Sequence, residues 1–351
     1  MKNKLILIFI VVSFALASCQ AKSIPTDEPV TLTVMTHDSF AASADVIAAF
    51  EQANNVKLVF LKSGDAGAAL NRAILSKGSP QADVLYGVDN TLLSRALDEG
   101  IYESYESPLL AKIPTEFKMD ASNSALPVDY GDVCINYDKA FFAAHNLAIP
   151  QTLTDLTEPK YKGLLVVENP TNSSTGLAFL FATIAEYGAE GYIAYWQQLK
   201  ENGLVIVNDW NTAYYTNFSA SSGHGPQPMA LSYASSPPVE VIYAATPLDD
   251  APTASLVGKN MCFRQIEFVG ILKGTQHREL AEKFVDFMLS VQFQEDMPLQ
   301  MFMYPVNPDA SLPDVFIKYT QTPDHPATLD PAVIAANRDQ WLNDWTEAIL
   351  H

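Results

Sequence analysis

Three short segments set hydroxyl and small residues where a strand-like run gives way to a helix-like one. They are Ser63-Gly64-Asp65-Ala66-Gly67, Asn172-Ser173-Ser174-Thr175-Gly176 and Ala234-Ser235-Ser236-Pro237-Pro238. Such residues leave backbone N–H groups uncovered at helix N-termini, where the helix dipole favours an anion or an electron-rich ligand atom. Any one of them would pass as an ordinary N-cap. Three in one chain, all at the carboxyl ends of predicted strands, describe a binding crevice of the kind open α/β sheets form. Aromatic residues stand beside them: Trp210 follows a predicted strand, Tyr214 and Tyr215 come one helical turn later, and Tyr233 precedes the Ser-Ser-Pro turn. Alone, each would read as core. Together their faces suit a planar or cationic ligand, at about 0.5–2 kcal/mol per stacking or cation–π contact.

The elements that must position these residues alternate between short β-rich runs and amphipathic helical runs, which predicts α/β layers. Strands are expected at 32–35, 57–61, 82–86, 164–167, 204–207, 229–233 and 263–272. Between them Val46, Ile47 and Phe50 share one helix face, Leu70 and Ile74 another, and 176–184 and 192–199 read as further helices. The stretch 125–137 is long for one strand and contains Pro127 and Gly131, which suits a crossover between two lobes. Farther on, Leu280, Phe284, Phe287, Met288 and Val291 step by helical spacing. A last helix begins at Asp330-Pro331, with Asp as N-cap and Pro in the first turn, and turns Ile334, Trp341, Trp345 and Ala348 to one side.

The N-terminus carries a different kind of chemistry. Lys2 and Lys4 precede an apolar run from Leu5 to Leu16, far short of the roughly 20 residues that span a bilayer, and the box Leu16-Ala17-Ser18-Cys19 follows. That is the layout of a bacterial lipoprotein signal, with cleavage before Cys19 and lipidation of its thiol. The predicted organisation is a signal peptide at 1–18 and a polar, proline-containing tether at 19–30. Then come a first part of the N-lobe at 31–128, a C-lobe at 129–235, a return mainly to the N-lobe at 236–310, and a C-terminal helical segment at 311–351 packing on the lobes.

Removing the leader takes about 330 residues into the mature chain, more than one hydrophobic core usually serves, so two lobes are expected. The formal charge of −19 becomes −21 once Lys2 and Lys4 are gone. So acidic a surface repels nucleic acid and tolerates a cationic small molecule. Only Cys134 and Cys262 remain beyond Cys19. An extracytoplasmic chain could bridge them, but one pair is no disulfide scaffold, and two separate buried thiols is the preferred reading. No cofactor or metal is called for.

Several blocks, in order along nearly the whole mature chain, resemble the thiamine-binding proteins of bacterial ABC importers. They are 33–40 (Thr-Val-Met-Thr-His-Asp-Ser-Phe), 82–90 (Ala-Asp-Val-Leu-Tyr-Gly-Val-Asp-Asn), Pro127-Val128-Asp129-Tyr130-Gly131, 231–237 (Leu-Ser-Tyr-Ala-Ser-Ser-Pro) and Met303-Tyr304-Pro305-Val306, with 331–338 leading on to Trp345. The resemblance implies a two-lobe type II periplasmic binding protein fold. Its cleft would close over thiamine, or its mono- or diphosphate, and a monomeric, lipid-anchored extracytoplasmic protein would deliver the ligand to a permease driven by a cytoplasmic ATPase. Carried over by position, Asp65, Ala66, Ser173, Ser174 and Tyr233, Ala234, Ser235, Ser236 fall on ligand-contact segments. Trp210 falls on the Trp that lies against the ligand.

The departures from that pattern concern the aromatic cage: His37 and Val239 stand where the family has Tyr, and Phe302 where it has Trp. The cage is thinner, and a Tyr restored at position 239 would add a stacking face. His37 could stack, donate a hydrogen bond, or make affinity depend on pH, since an ordinary imidazole titrates near pH 6.5. Two other readings remain. Tyr214-Tyr215 is a pair of the kind that holds ferric ion in proteins of this fold, and Cys134 on the crossover is where a thiamine-degrading enzyme would need a nucleophile. The thiol has only Asp129, Asp132 and Asp138 near it in sequence, no base or cation to activate it, and no Ser/His/Asp nucleophile motif occurs.

Overall fold

The computed structural model describes residues 29–220 and 224–351. The expected signal peptide, Cys19 and the expected tether as far as residue 28 lie outside the described residues. Among those described, no helix is long and apolar enough to cross a membrane.

The chain opens with the expected alternation: β1 (Val30–Thr36), α1 (Ala44–Asn54), β2 (Val56–Lys62), α2 (Ala66–Leu75), β3 (Val84–Asp89) and α3 (Leu93–Asp98). β1 lies between β2 and β3, all three parallel. Helices on the faces of this sheet bury every residue of β3, as parallel strands require. After the two-residue β4 (Tyr102–Glu103) comes β5 (Leu126–Asp138), one continuous strand of 13 residues. At the rise of a β-strand it spans roughly 40 Å, enough to pass from one lobe into the other.

Beyond it follow α4 (Lys139–Ala144), β6 (Leu165–Glu168), α5 (Ser174–Glu201), β7 (Val205–Val207) and β8 (Met229–Tyr233). α5 covers both helices expected at 176–184 and 192–199, which meet at a break in helical geometry at Gly188, φ 74°. β8 and β7 flank β6 in parallel, and β8 runs antiparallel to the second half of β5. The chain then returns through α6 (Pro237–Ile242), β9 (Thr253–Leu256) and β10 (Phe263–Leu272). β10 is antiparallel to both β3 and β5, so the path across the sheet reads β2-β1-β3-β10-β5-β8-β6-β7. β9 pairs with the last four residues of β5. α7 (Arg278–Leu289), α8 (Val291–Gln300), β11 (Tyr304–Pro305), α9 (Asp314–Tyr319) and α10 (Pro331–Leu350) complete the chain.

α10 starts as its sequence demands, with the Asp330 carboxylate accepting from Ala332 N at 2.7 Å. It buries Ile334, Trp341, Trp345 and Ile349, and Ala348 is only partly covered. Trp345 meets Trp196 of α5 edge to face, ring centroids 5.3 Å apart, and Trp341 meets Phe181 of the same helix. Such pairs favour edge-on geometry because the ring edge is positive and the face negative.

The two cysteines correct the reading of separate thiols: Cys134 on β5 and Cys262 just before β10 form a disulfide, Cα–Cα 4.4 Å. The pairing of Phe263 with Val133 in the β5–β10 ladder places the two side chains side by side, 128 residues apart in sequence. Bonded and fully buried, Cys134 is no free thiolate nucleophile.

Candidate ligand-binding site

A cavity of about 290 Å³ lies between the two halves of the sheet, near the lower end of the usual range for small-molecule sites. The loop after β1 supplies His37 and Asp38, the start of α2 Asp65 and Ala66, and the start of α5 Ser174 and Thr175. Asp209, Trp210, Asn211 and Tyr215 come from the segment after β7, Tyr233 and Ser236 from the end of β8, and Glu267 from β10. Tyr243 and residues 300–303 close the rim.

Asp65 ties the two halves together. Its Oδ1 accepts from its own helix at Ala66 N, 2.7 Å, and across the cleft from Ser174 N, 3.2 Å. One carboxylate oxygen thus caps α2 and reaches the first turn of α5 at once. Gly67 allows the approach: a Cβ there would lie 3.0 Å from the carbonyl oxygen of Asn172. These N–H groups, which the sequence offered to an anion, are therefore already taken by a fixed negative group. Enclosure raises the Asp65 carboxyl above its ordinary value, against the lowering pull of the Ser174 amide and His37.

Trp210 forms the broadest aromatic wall. Its ring lies parallel to Tyr214 at 5.1 Å and 10°, and its Nε1 donates to Ser232 Oγ at 2.9 Å. Ser232 Oγ and Ser236 Oγ share a hydrogen bond of 2.8 Å, and the Tyr233 amide donates to Ser236 Oγ. The indole is pinned at its edge and backed on one side, which leaves its other face for the cleft. Tyr233 is held in turn by its hydroxyl, which donates to Gln265 Oε1 at 2.6 Å. Phe302 stands at the rim with φ 57°, a left-handed conformation uncommon outside glycine, packed edge-on against Tyr243.

At the floor His37 Nε2 stands 3.4 Å from Glu267 Oε1. The space for the imidazole comes from Gly87, φ +99°, where a Cβ would fall 2.3 Å from His37 Cδ2. Burial opposes protonation of His37, but the Glu267 carboxylate outweighs it and holds the imidazole above its ordinary value.

A model of the family described as bacterial extracellular solute-binding protein matches residues 79–323. The chain belongs to that family. It is 30% identical over 332 residues to the thiamine-binding periplasmic protein of Escherichia coli (strain K12), covering 91% of this chain and 93% of that one. The thiamine-binding periplasmic protein of Brucella suis is 29% identical, with 91% and 92% covered. A solved periplasmic thiamin binding protein superposes with a TM-score of 0.79 at 28% identity, over 92% of this chain and 96% of that one. A ferric binding protein from Campylobacter jejuni, at 18% identity and a TM-score of 0.73 with 90% and 99% covered, shares the fold.

Within this solute-binding protein, eight of the sequence-derived candidates line the one cleft: His37, Asp65, Ala66, Ser174, Trp210, Tyr233, Ser236 and Phe302. Ser173, Ala234 and Ser235 are buried and do not line it, and Ser173 lines a separate cavity with Gly67, Asn172 and Arg338. Ser173 bonds its neighbour Thr175 through their hydroxyls, 2.9 Å. Val239 lies elsewhere than the resemblance implied: α6 turns it into an apolar cluster with Phe302, Tyr304 and Phe316, 4% exposed and off the cavity wall. Val239→Tyr is therefore expected to overpack this cluster and lower stability by about 1–2 kcal/mol, measured by urea denaturation. An unchanged midpoint would mean that the side chain points into open space.

Tyr214 and Tyr215 do not face the cleft together. Tyr215 lines the cleft, whereas Tyr214 is fully buried behind Trp210 with its ring at 89° to that of Tyr215. Glu267 escaped the sequence reading, although its signal was there: an acid in the middle of an otherwise buried, largely apolar strand.

Proposed function

We propose that this protein captures thiamine outside the cytoplasmic membrane and hands it to an ABC permease. The observation that carries the reading is the composition of the cleft wall. Asp38, Asp65, Asp209 and Glu267 line it together with Trp210, Tyr215, Tyr233 and Phe302, and among the described residues neither lysine nor arginine does. Carboxylates around aromatic faces suit a flat organic cation, and thiamine joins an aromatic thiazolium cation to an aminopyrimidine ring. The thiamine-binding relatives along nearly the whole chain support the same reading.

The acidic wall also ranks the ligands. A phosphate on the hydroxyethyl arm brings negative charge toward a cleft where α2 and α5 each already give one N-terminal N–H to the Asp65 carboxylate. Thiamine is expected to bind more tightly than thiamine diphosphate by about tenfold, a modest figure because water and salt screen a half-open cleft. Calorimetric titration with both decides it, and tighter binding of the diphosphate would overturn the ranking. Native mass spectrometry of freshly purified protein tests the ligand class itself.

Binding and release, without catalysis, is the role proposed. Lipid anchoring through Cys19, a monomeric state and delivery to an ATPase-driven permease belong to the same proposal. Palmitate labelling of the wild type, lost in Cys19→Ala, tests the anchor.

A further inference from the structure

A row of acids crosses the sheet beneath the cleft. Glu267 of β10 stands in register with Asp89 of β3 on one side and Asp129 of β5 on the other. The ladders slip by one residue beside both pairs, at Gly87 and at Val128, and such bulges re-aim the side chains next to them. Tyr86 donates its single hydroxyl proton into this row, with Asp129 Oδ2 at 2.5 Å and Glu267 Oε2 at 2.9 Å. Asp89 is met by Thr91 and Gln265. Of the three acids only Glu267 lines the cleft.

The charge in the row resolves in one direction. Burial, then the Glu267 charge, holds the Asp129 carboxyl well above the ordinary range, so it keeps its proton. Burial also opposes ionisation of Glu267, but His37 and hydrogen bonds with Tyr86 and Asp129 outweigh it, and Glu267 stays ionised. Its Oε1 has His37 Nε2 opposite at 3.4 Å, and that nitrogen makes no aligned hydrogen bond. Charge rather than a directed bond holds the imidazole there. The other groups facing His37 are the Asp65 carboxylate at the start of α2, the Lys62 ammonium at the end of β2, and the Tyr86 ring of β3 at 5.8 Å.

We propose that Glu267 is the counter-charge by which this cleft selects a cationic ligand, and that His37 holds the place of that cation in the empty cleft and gives up its proton when the ligand enters. The identity of the cation rests on the thiamine reading above. No covalent bond changes: the proton on the imidazole passes to solvent, and the ligand's fixed positive charge replaces it beside Glu267.

The sign follows from linkage. His37 is protonated in the empty protein below a pKa lying above 6.5, and is neutral in the complex, so each binding event releases up to one proton. Affinity falls as pH drops below that pKa, by up to about tenfold per unit, and is flat above it.

Calorimetric titration of the mature protein with thiamine, from pH 6 to 8.5 in two buffers of different ionisation enthalpy, counts the protons directly. Wild type is expected to release a fraction approaching one at the acid end. His37→Gln should bind with no release and a flat profile, and Glu267→Gln at least about tenfold more weakly. If Glu267→Gln fails to fold because the acid row is disturbed, the wild-type count and His37→Gln still decide. Thiamine binding without proton release, or release that survives in His37→Gln, overturns the roles given to these two residues. No thiamine binding at any pH overturns the thiamine reading itself, and this proposal with it.

Discussion

Replacing Cys134 and Cys262 together by Ala is expected to lower the stability of the protein by about 2–4 kcal/mol. The bond closes a loop with a sequence separation of 128, and chain entropy alone puts the constraint on the unfolded state near 5 kcal/mol. Native bonds commonly deliver less, because the reduced unfolded chain keeps some structure. Both cysteines are fully buried where β5 and β10 run side by side, so the substitution also removes two sulfurs from a packed interior. Alanine is preferred to serine so that no hydroxyl is introduced at two fully buried positions. Urea denaturation of wild type and double variant, each with and without reductant, measures the effect. Wild type in reductant should fall toward the variant, and a variant as stable as the oxidised wild type would mean that the bond is absent from the exported protein.

Trp210→Ala is expected to weaken thiamine binding by about 1–3 kcal/mol, or roughly 5- to 150-fold. Removing the indole deletes the broad wall beside the ligand and uncovers Tyr214, whose ring it stacks on. It also takes away the donor that holds Ser232 Oγ, and with it an anchor of the Ser232–Ser236 pair at the cleft edge. Trp210→Phe separates the two contributions. It keeps an aromatic face and loses the N–H, so an intermediate loss is expected. Titration calorimetry on both folded variants reads the result, and binding by Trp210→Ala within twofold of wild type would place the ligand elsewhere in the cleft.

Much of this molecule was legible in the sequence alone because it depends on local periodicity. The strands at 32–35, 57–61 and 229–233 were marked by β-rich runs, and α10 by Asp330-Pro331 and its tryptophan spacing. Asp65, Ser173 and Ser236 announced the helix starts of α2, α5 and α6, where each stands as N-cap. A cap or an amphipathic face is decided within a few residues, so its signal survives in one dimension.

Register and contacts between distant strands decided the rest. Asp65 could be read as a cap of α2, but its reach to Ser174 needed the two halves of the sheet to meet. Cys134 and Cys262 pair because β10 runs antiparallel to β5 in a ladder that sets Phe263 opposite Val133, and no spacing rule contains that ladder. Val239 carries the hydrophobicity of a wall residue, yet the orientation of α6 gives it to the Phe302, Tyr304 and Phe316 cluster. Glu267 becomes the charge at the floor of the cleft only through two one-residue slips, at Gly87 and Val128, that bring it into register with Asp89 and Asp129. Side chains alternate faces along a strand, so a slip of one residue exchanges floor for core, and that choice belongs to the assembled sheet rather than to any one strand in it.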